Sequence, residues 1–110
     1  MGTETAHVDT FAADNLPPRD LWPEFPNLEK LGYPDRMNCA VELIDRHVTE
    51  GRGDRVALIG SGVTWTYAEL QKVVDRIAHV LVDRYGLVPG NRVLLRSANN
   101  PMMTAVYFAI

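Results

Sequence analysis

Residues 63–71 read VTWTYAELQ, and the spacing of apolar side chains changes within this stretch. Apolar and polar residues alternate up to Thr66, which is typical of a β-strand with one buried face. Beyond it, apolar residues recur every three or four positions, which is typical of a helix. Thr66 and Glu69 also stand in the relation of a capping box, in which each side chain bonds the other residue's backbone N–H. The stretch therefore predicts a joint where a strand becomes a capped helix.

The helix after this joint is predicted over residues 67–85, and Gly86 can end it in the left-handed conformation. Its apolar positions fall on one face, at Leu70, Val73, Val74, Ile77, Ala78, Leu81 and Tyr85. Before the joint, strands at 55–59 and 63–66 flank Gly60-Ser61-Gly62, which predicts a hairpin with a three-residue loop. Because this loop leads into a strand and not into a helix N-terminus, it is not a phosphate-binding loop.

An earlier helix is predicted over residues 39–50, with Asn38 as its N-cap and Gly51 as the left-handed residue after its end. Its apolar face holds Ala40, Leu43, Ile44, His47 and Val48. Residues 51–54, GRGD, are predicted to form a turn.

The last part of the chain predicts a strand and a helix. Residues 92–96, RVLLR, have three consecutive apolar side chains, which indicates a strand buried on both faces. Asn100 and Pro101 are typical of an N-cap and a first helical residue, and the following MMTAVYFAI is apolar nearly all round, so we expect this helix to be buried. Since the chain stops without a second parallel strand, we expect a longer polypeptide or another chain to supply the missing surface.

Residues 1–37 are predicted to form an extended arm. Its prolines, which oppose long helices and paired strands, are Pro17, Pro18, Pro23, Pro26 and Pro34. Its aromatic residues argue against disorder and favour an arm that lies over a neighbouring surface. A second interpretation, in which Trp22 or Tyr33 contacts a ligand, stays open.

Composition excludes several classes of protein. The chain has 110 residues, 46% of them hydrophobic and 23% charged, with a net charge of −3. Basic residues are scattered, so we expect neither nucleic acid nor a membrane surface as a partner. The single cysteine, Cys39, excludes an internal disulfide framework, and the N-terminus has no secretory signal, so we expect a cytoplasmic protein.

No constellation of reactive side chains is evident. His7, His47 and His79 show no metal-ligand spacing, Cys39 is expected to be a half-buried small residue, and neither a GxSxG elbow nor a Walker loop is present. We therefore assign no catalytic, cofactor-binding or metal-binding residue. The predicted fold class is α/β, built from an extended arm, a helix, a hairpin, an amphipathic helix, a buried strand and an apolar helix, and it is incomplete.

WTYAEL at 65–70 resembles the first core motif of the adenylate-forming acid ligases. NCAVELIDRH (38–47), GDRVALI (53–59) and PGNRVLLRSANNPMMTAVYFAI (89–110) stand around it in the order that this family uses. The resemblance implies that residues 38–110 are the N-terminal part of an AMP-binding domain, truncated, with residues 1–37 as its arm. LVPGNRVLLRSANNPMM and the arm's NLPPRDLWPEF are similar to the benzoate and 2-aminobenzoate CoA ligase branch.

The resemblance implies an enzyme that joins a carboxylic acid, aromatic in this branch, to coenzyme A through an acyl-adenylate. ATP, Mg²⁺ and coenzyme A are implied for the full-length family. The family's phosphate loop, ribose-binding Asp and catalytic Lys are missing from this sequence. We therefore expect no cofactor on this segment and no activity from it alone. Thr66, Tyr67 and Glu69 match the motif, yet capping explains Thr66 and Glu69, and packing against the hairpin explains Tyr67. The expected partners are the rest of the ligase chain and a small carboxylic acid. The alternative is a non-catalytic, truncated or orphan module that docks through its apolar last helix.

Overall fold

The computed structural model describes residues 5–60 and 62–110. The chain divides into two compact units, one of residues up to Met37 with Val88–Arg92 and one of Asn38–Leu87 with Val93–Ile110. The elements are α1 (Phe11–Asp14), α2 (π-helical at Val41–Asp45, then α-helical at Arg46–Thr49), β1 (Val56–Gly60), β2 (Val63–Thr66), α3 (α-helical at Tyr67–His79, then π-helical at Val80–Arg84) and α4 (Pro101–Ala109). They form a small α/β structure.

The arm in the first unit has little regular structure. Besides α1, it contains 3-10 turns at Arg19–Leu21 and Leu28–Leu31, and none of its described residues is buried. These short turns agree with the expectation that closely spaced prolines oppose a long helix, since prolines limit helices to about one turn without abolishing them. The indole Nε1–H of Trp22 donates to the carbonyl oxygen of Pro17 at 2.8 Å, so the arm has contacts of its own.

β1 and β2 pair antiparallel as the predicted hairpin. The predicted three-residue loop is wrong at Gly60, which belongs to β1 and pairs with Val63; Ser61 lies outside the described residues. The register shifts between Val56 and Leu58, which is a β-bulge and increases the local twist.

α2 begins and ends as predicted. The side-chain oxygen Oδ1 of Asn38 accepts from the N–H groups of Ala40 at 2.9 Å and Val41 at 3.2 Å, which confirms the N-cap. Gly51 has a φ of 76°, and the N–H of Arg52 donates to the His47 carbonyl oxygen at 2.7 Å. This is the Schellman arrangement, in which a glycine in the left-handed region closes the helix.

The predicted apolar face of α2 is only partly buried. Ile44 is 2% exposed, but Leu43 is 42% exposed. The helix that covers α2 is α3, and one neighbouring helix covers only a narrow stripe of side chains. Leu43, which belongs to the predicted apolar face, therefore lies outside the stripe that α3 covers.

α3 extends over the predicted residues 67–85, and Gly86 follows it with a φ of 65°. Tyr85, which was predicted on the apolar face, is 73% exposed. The last turns, at Val80–Arg84, are π-helical. Hydrogen bonds from i to i+5 widen the helix there, so the side chains beyond them leave the 3.6-residue spacing on which the prediction rested.

The core of the second unit lies around α3. Its buried side chains come from three helices and are Ile44, Leu70, Val74 and Ala105. Ala57, Leu58 and Trp65 of the hairpin pack against them. Because α3 contacts α2, α4 and both strands, it is the element on which the rest of this unit is assembled.

Residues 92–96 do not form the predicted buried strand. Leu94 is 95% exposed, and within the described residues the sheet has two strands, β1 and β2. A strand requires a hydrogen-bonded neighbour, and this segment has none in the part of the chain that the structure describes. Three consecutive apolar residues indicate burial, but they do not provide the neighbouring strand that pairing requires.

α4 is capped as predicted but is not buried all round. Asn100 Oδ1 accepts from the Met103 N–H at 2.9 Å, and Pro101 is the first helical residue. Ala105 is fully buried, whereas Tyr107 is 69% exposed. One face of α4 packs against α3 and β1 and the other is exposed, so the prediction of complete burial is wrong for this chain.

Candidate functional site

The joint between β2 and α3 is held by reciprocal hydrogen bonds. The Glu69 N–H donates to Thr66 Oγ1 at 3.2 Å, and the Thr66 N–H donates to Glu69 Oε2 at 2.8 Å. The Tyr67 N–H donates to the carbonyl oxygen of Arg55 at 3.0 Å, which ties the start of α3 to the residue before β1. The predicted capping box is confirmed, so the polar side chains of Thr66 and Glu69 are engaged in local structure.

Replacing Thr66 with alanine removes one half of the capping box. We expect Thr66→Ala to lower the free energy of unfolding by about 1 kcal/mol, measured by urea denaturation. Thr66→Ser keeps the accepting hydroxyl and is the matched control, with most of the stability retained. Equal losses in the two variants would show that the hydroxyl does not stabilise the helix.

Tyr67 stacks on a histidine from α2. Its ring centroid lies 4.1 Å from that of His47, with the ring planes at 25°. His47 Nδ1 accepts a hydrogen bond from Arg52 Nε–H at 3.1 Å. The sequence account of Tyr67 as packing against the hairpin missed this contact, because the partner lies in another helix and no local spacing indicates it. The contacts of His47 with Tyr67 and Arg52 therefore connect α2 to the start of α3.

The charged side chains of α2 neutralise one another at the surface. Arg46 Nε–H donates to Glu50 Oε1 at 2.9 Å and also contacts Glu42, while Arg52 contacts the other oxygen of Glu50. The hydrogen bond from Arg46, followed by the one from Arg52, lowers the pKa of Glu50. Glu50, followed by Glu42, raises the pKa of Arg46. Cations held in this way are already paired and do not form a prepared phosphate site.

A shallow groove lies between the end of β1 and the start of α4. It is lined by Leu58, Ile59, Gly60, Asn99, Asn100, Pro101 and Thr104. A nucleotide triphosphate needs cationic partners, and this lining holds no charged side chain. Asn100 is also engaged as the N-cap of α4. The groove therefore does not fit ATP.

The other candidate residues are scattered. His79 is solvated, with Nδ1 3.7 Å from the Asp83 carboxylate. Cys39 is exposed and not half-buried as predicted, since no element among the described residues covers it at the start of α2. Trp22 is 39% exposed and Tyr33 is 45% exposed, and both belong to the first unit.

Metal ligands do not cluster among the described residues. Within residues 5–60 and 62–110, no three His, Cys, Asp or Glu side chains meet in a way that could hold a metal ion. Mg²⁺ is usually bound through carboxylates and phosphate oxygens, so the described residues do not fit a Mg²⁺–ATP complex. In the same residues, no helix is long and apolar enough to cross a membrane.

The fold and the joint define an α/β unit whose capped amphipathic helix organises a hairpin and two further helices. A family model described as "AMP-binding enzyme" matches residues 44–110, which include all four core residues. The chain belongs to this family of AMP-binding enzymes.

Curated relatives of the chain are named as acetyl-coenzyme A synthetases and CoA ligases. An acetyl-coenzyme A synthetase of Mycolicibacterium smegmatis is 42% identical over 66 residues, which are 54% of this chain and 7% of the relative. A 4-hydroxybenzoate–CoA/benzoate–CoA ligase of Rhodopseudomonas palustris is 40% identical over 58 residues, 53% of this chain and 11% of the relative. A benzoate–CoA ligase of Thauera aromatica is 39% identical over 62 residues, 56% of this chain and 12% of the relative. The chain thus spans a small part of the length of each of these relatives. No solved structure gives a significant match.

Proposed function

We propose that residues 38–110 form the N-terminal part of the large domain of an AMP-forming acid–CoA ligase, and that residues 1–37 are its proline-rich N-terminal arm. The observation that carries the proposal is the family match over residues 44–110, together with relatives that are named as CoA ligases. The confirmed joint at Thr66 and Glu69 is the feature of the family motif that this chain displays in three dimensions.

Exposed apolar side chains support a place within a larger domain. Ile59 is 81% exposed, Leu94 95% and Tyr107 69%. These residues lie on β1, in the segment between α3 and α4, and on α4. Each would lose water-accessible apolar area if the remainder of a domain covered it. Coverage by a neighbouring strand would also pair the backbone of residues 93–96.

The proposed reaction has two steps. A carboxylate attacks the α-phosphorus of ATP and displaces pyrophosphate to give an acyl-adenylate, and the thiol of coenzyme A then attacks the acyl carbon and displaces AMP. The groups that bind ATP, Mg²⁺ and coenzyme A lie outside this segment in the proposal, because its described side chains fit neither phosphate nor metal. The 110 residues alone are inactive in this view, and their partners are the rest of the ligase and the acid. The single cysteine favours a cytoplasmic location.

The proposed acid is aromatic. Relatives named for benzoate, 4-hydroxybenzoate and 3-hydroxybenzoate support it, each between 34% and 40% identical to this chain. Relatives named for acetate are 39% to 42% identical, so acetate is the competing substrate that the test includes.

A second candidate function is a non-catalytic module that docks through α4. The exposed apolar side chains of Met102, at 48%, and Tyr107, at 69%, favour it. Such a module would need no ATP-binding groups.

The test is acid-dependent exchange of labelled pyrophosphate into ATP. We expect the 110-residue chain to show none, and the full product of the gene that encodes it to exchange with benzoate or 2-aminobenzoate faster than with acetate. Exchange by the 110 residues alone would contradict the placement of the catalytic groups elsewhere. Faster exchange with acetate would overturn the aromatic assignment, and a gene product without the ligase phosphate loop would favour the docking module.

A further inference from the structure

Residues 7–11, which we call the strap, lie against the turn at Val88–Arg92 within the first unit. The N–H groups of Val8 and Asp9 both donate to the carbonyl oxygen of Pro89, at 2.8 and 3.0 Å. This contact joins the arm to a turn about eighty residues further along the chain, so it is tertiary structure and not a local turn.

The Asp9 carboxylate is at the centre of this contact. One oxygen accepts from the Phe11 N–H at 3.0 Å and lies 3.5 Å from an Arg92 guanidinium nitrogen. The other accepts from Asn91 Nδ2 at 3.0 Å. The amide oxygen of Asn91 in turn accepts from the Val88 N–H at 3.0 Å, which orients its NH₂ group toward the strap. One carboxylate therefore bonds both the strap's own backbone and two side chains of the turn.

Two further features hold the strap in place. The Arg92 guanidinium lies 4.0 Å from the centre of the Phe11 ring, a cation–π contact. Gly90 has a φ of 96°, and a Cβ atom at this position would lie 2.0 Å from the Asp9 carbonyl oxygen and 2.9 Å from His7 Cβ. The backbone of the strap thus occupies the space that any other residue at position 90 would fill with its side chain.

We propose that the strap is a reversible fastening of the N-terminal arm, closed by the Asp9 carboxylate and permitted by the missing side chain at Gly90. Its residues and those of the turn are exposed or half-buried, so it opens as a local unit without unfolding of the Leu70 core. Opening releases the start of the arm from the turn.

Two variants open the strap by independent routes. Asp9→Ala removes the carboxylate, and Gly90→Ala leaves every charge in place but drives a Cβ into the Asp9 carbonyl oxygen. The readout is the hydrogen-exchange rate of the Val8 amide in the 110-residue chain. We expect each variant to raise this rate about tenfold or more, as for loss of a charge-assisted hydrogen bond or a backbone clash.

Matched controls exist for both routes. Asp14→Ala removes a carboxylate of the same arm that accepts from Thr10 Oγ1 at 2.8 Å and bonds no residue of the turn in the described contacts. Gly32→Ala introduces a side chain at a similar φ of 66° with no atom within 4 Å. We expect both controls to leave Val8 exchange within about twofold of the parent chain.

Acid supplies a third route in the same experiment. The Phe11 N–H, then the Asn91 amide, lower the pKa of Asp9. Arg92 on the turn is the charged side chain that contacts it, and the titratable side chains on either side of it along the arm are His7 and Asp14. Because the pKa of Asp9 is lowered, its carboxylate fully stabilises the closed strap at pH values above the ordinary pKa of 3.8. That stability is lost as the pH falls through the lowered pKa of Asp9. Val8 exchange, corrected for its intrinsic pH dependence, is expected to rise below pH 3.8 in the parent chain.

Several results would contradict the proposed strap. Unchanged Val8 exchange in Asp9→Ala or in Gly90→Ala would overturn the proposal, and so would an equal rise in the two controls. Slow exchange of the Leu70 amide must persist in each variant, because loss of core protection would mean that the strap is not a separate unit. If Asp9→Ala does not fold, Asp9→Asn replaces it: Asn loses the charge facing Arg92 and turns an NH₂ group toward that of Asn91, and it must raise Val8 exchange as well.

Discussion

Replacing Leu70 with alanine is expected to lower the free energy of unfolding of the 110-residue chain by about 3 kcal/mol. Leu70 is 3% exposed and packs in the core with Val74, Ile44 and Ala105. Removing its side-chain carbons loses the transfer free energy of the buried atoms and leaves a cavity between three helices. Since a small domain has about 5–15 kcal/mol in all, this loss is a large fraction of the stability. Urea denaturation followed by circular dichroism measures it.

Leu94→Ala is the matched control for this prediction. The chemical change is identical, but Leu94 is 95% exposed, so we expect a change within about 0.5 kcal/mol. Similar losses at the two positions would mean that the segment after the 88–92 turn is packed and that the core does not centre on α3. A small loss at Leu70 alone would show that neighbouring side chains collapse into the cavity.

The joint and the helix N-caps were predictable from the sequence because their bonds span three residues or fewer. The reciprocal bonds of Thr66 and Glu69, and the N-caps Asn38 and Asn100, are all within that distance. Such bonds depend on residue types at fixed offsets and need no knowledge of the rest of the chain. They placed the starts of α2, α3 and α4 correctly.

Features that depend on a distant partner were not predictable in this way. Residues 92–96 have the composition of a buried strand, but Leu94 lies exposed because a strand needs a neighbour that the described chain does not provide. The stacking of His47 on Tyr67 and the contact of Asp9 with Asn91 join separate elements, and no local pattern indicates either. The prediction of the candidate site is limited for the same reason. That no residue of this chain binds a ligand or cofactor stays a prediction.

Gly60→Ala is expected to destabilise the chain by about 1–3 kcal/mol, because it overpacks the contact between β1 and α4. A Cβ at Gly60 would lie 2.3 Å from Cγ and 2.6 Å from Cδ of Pro101. The proline ring is rigid and is fixed at the first position of α4, where Asn100 caps the helix. The clash therefore cannot be relieved by a side-chain rotation, and α4 must move away from the hairpin.

Two comparisons isolate this clash from the general effect of placing alanine in a strand or turn. Gly53→Ala is the control, since its Cβ would meet Ala68 Cβ at 3.4 Å, an ordinary contact. Pro101→Ala removes the ring, so the double variant Gly60→Ala/Pro101→Ala is expected to recover about 1 kcal/mol or more relative to the sum of the two single changes. Additive losses in urea denaturation would show that Pro101 does not confine Gly60. Recovery would establish that the end of β1 has glycine because the first turn of α4 occupies the space of a side chain.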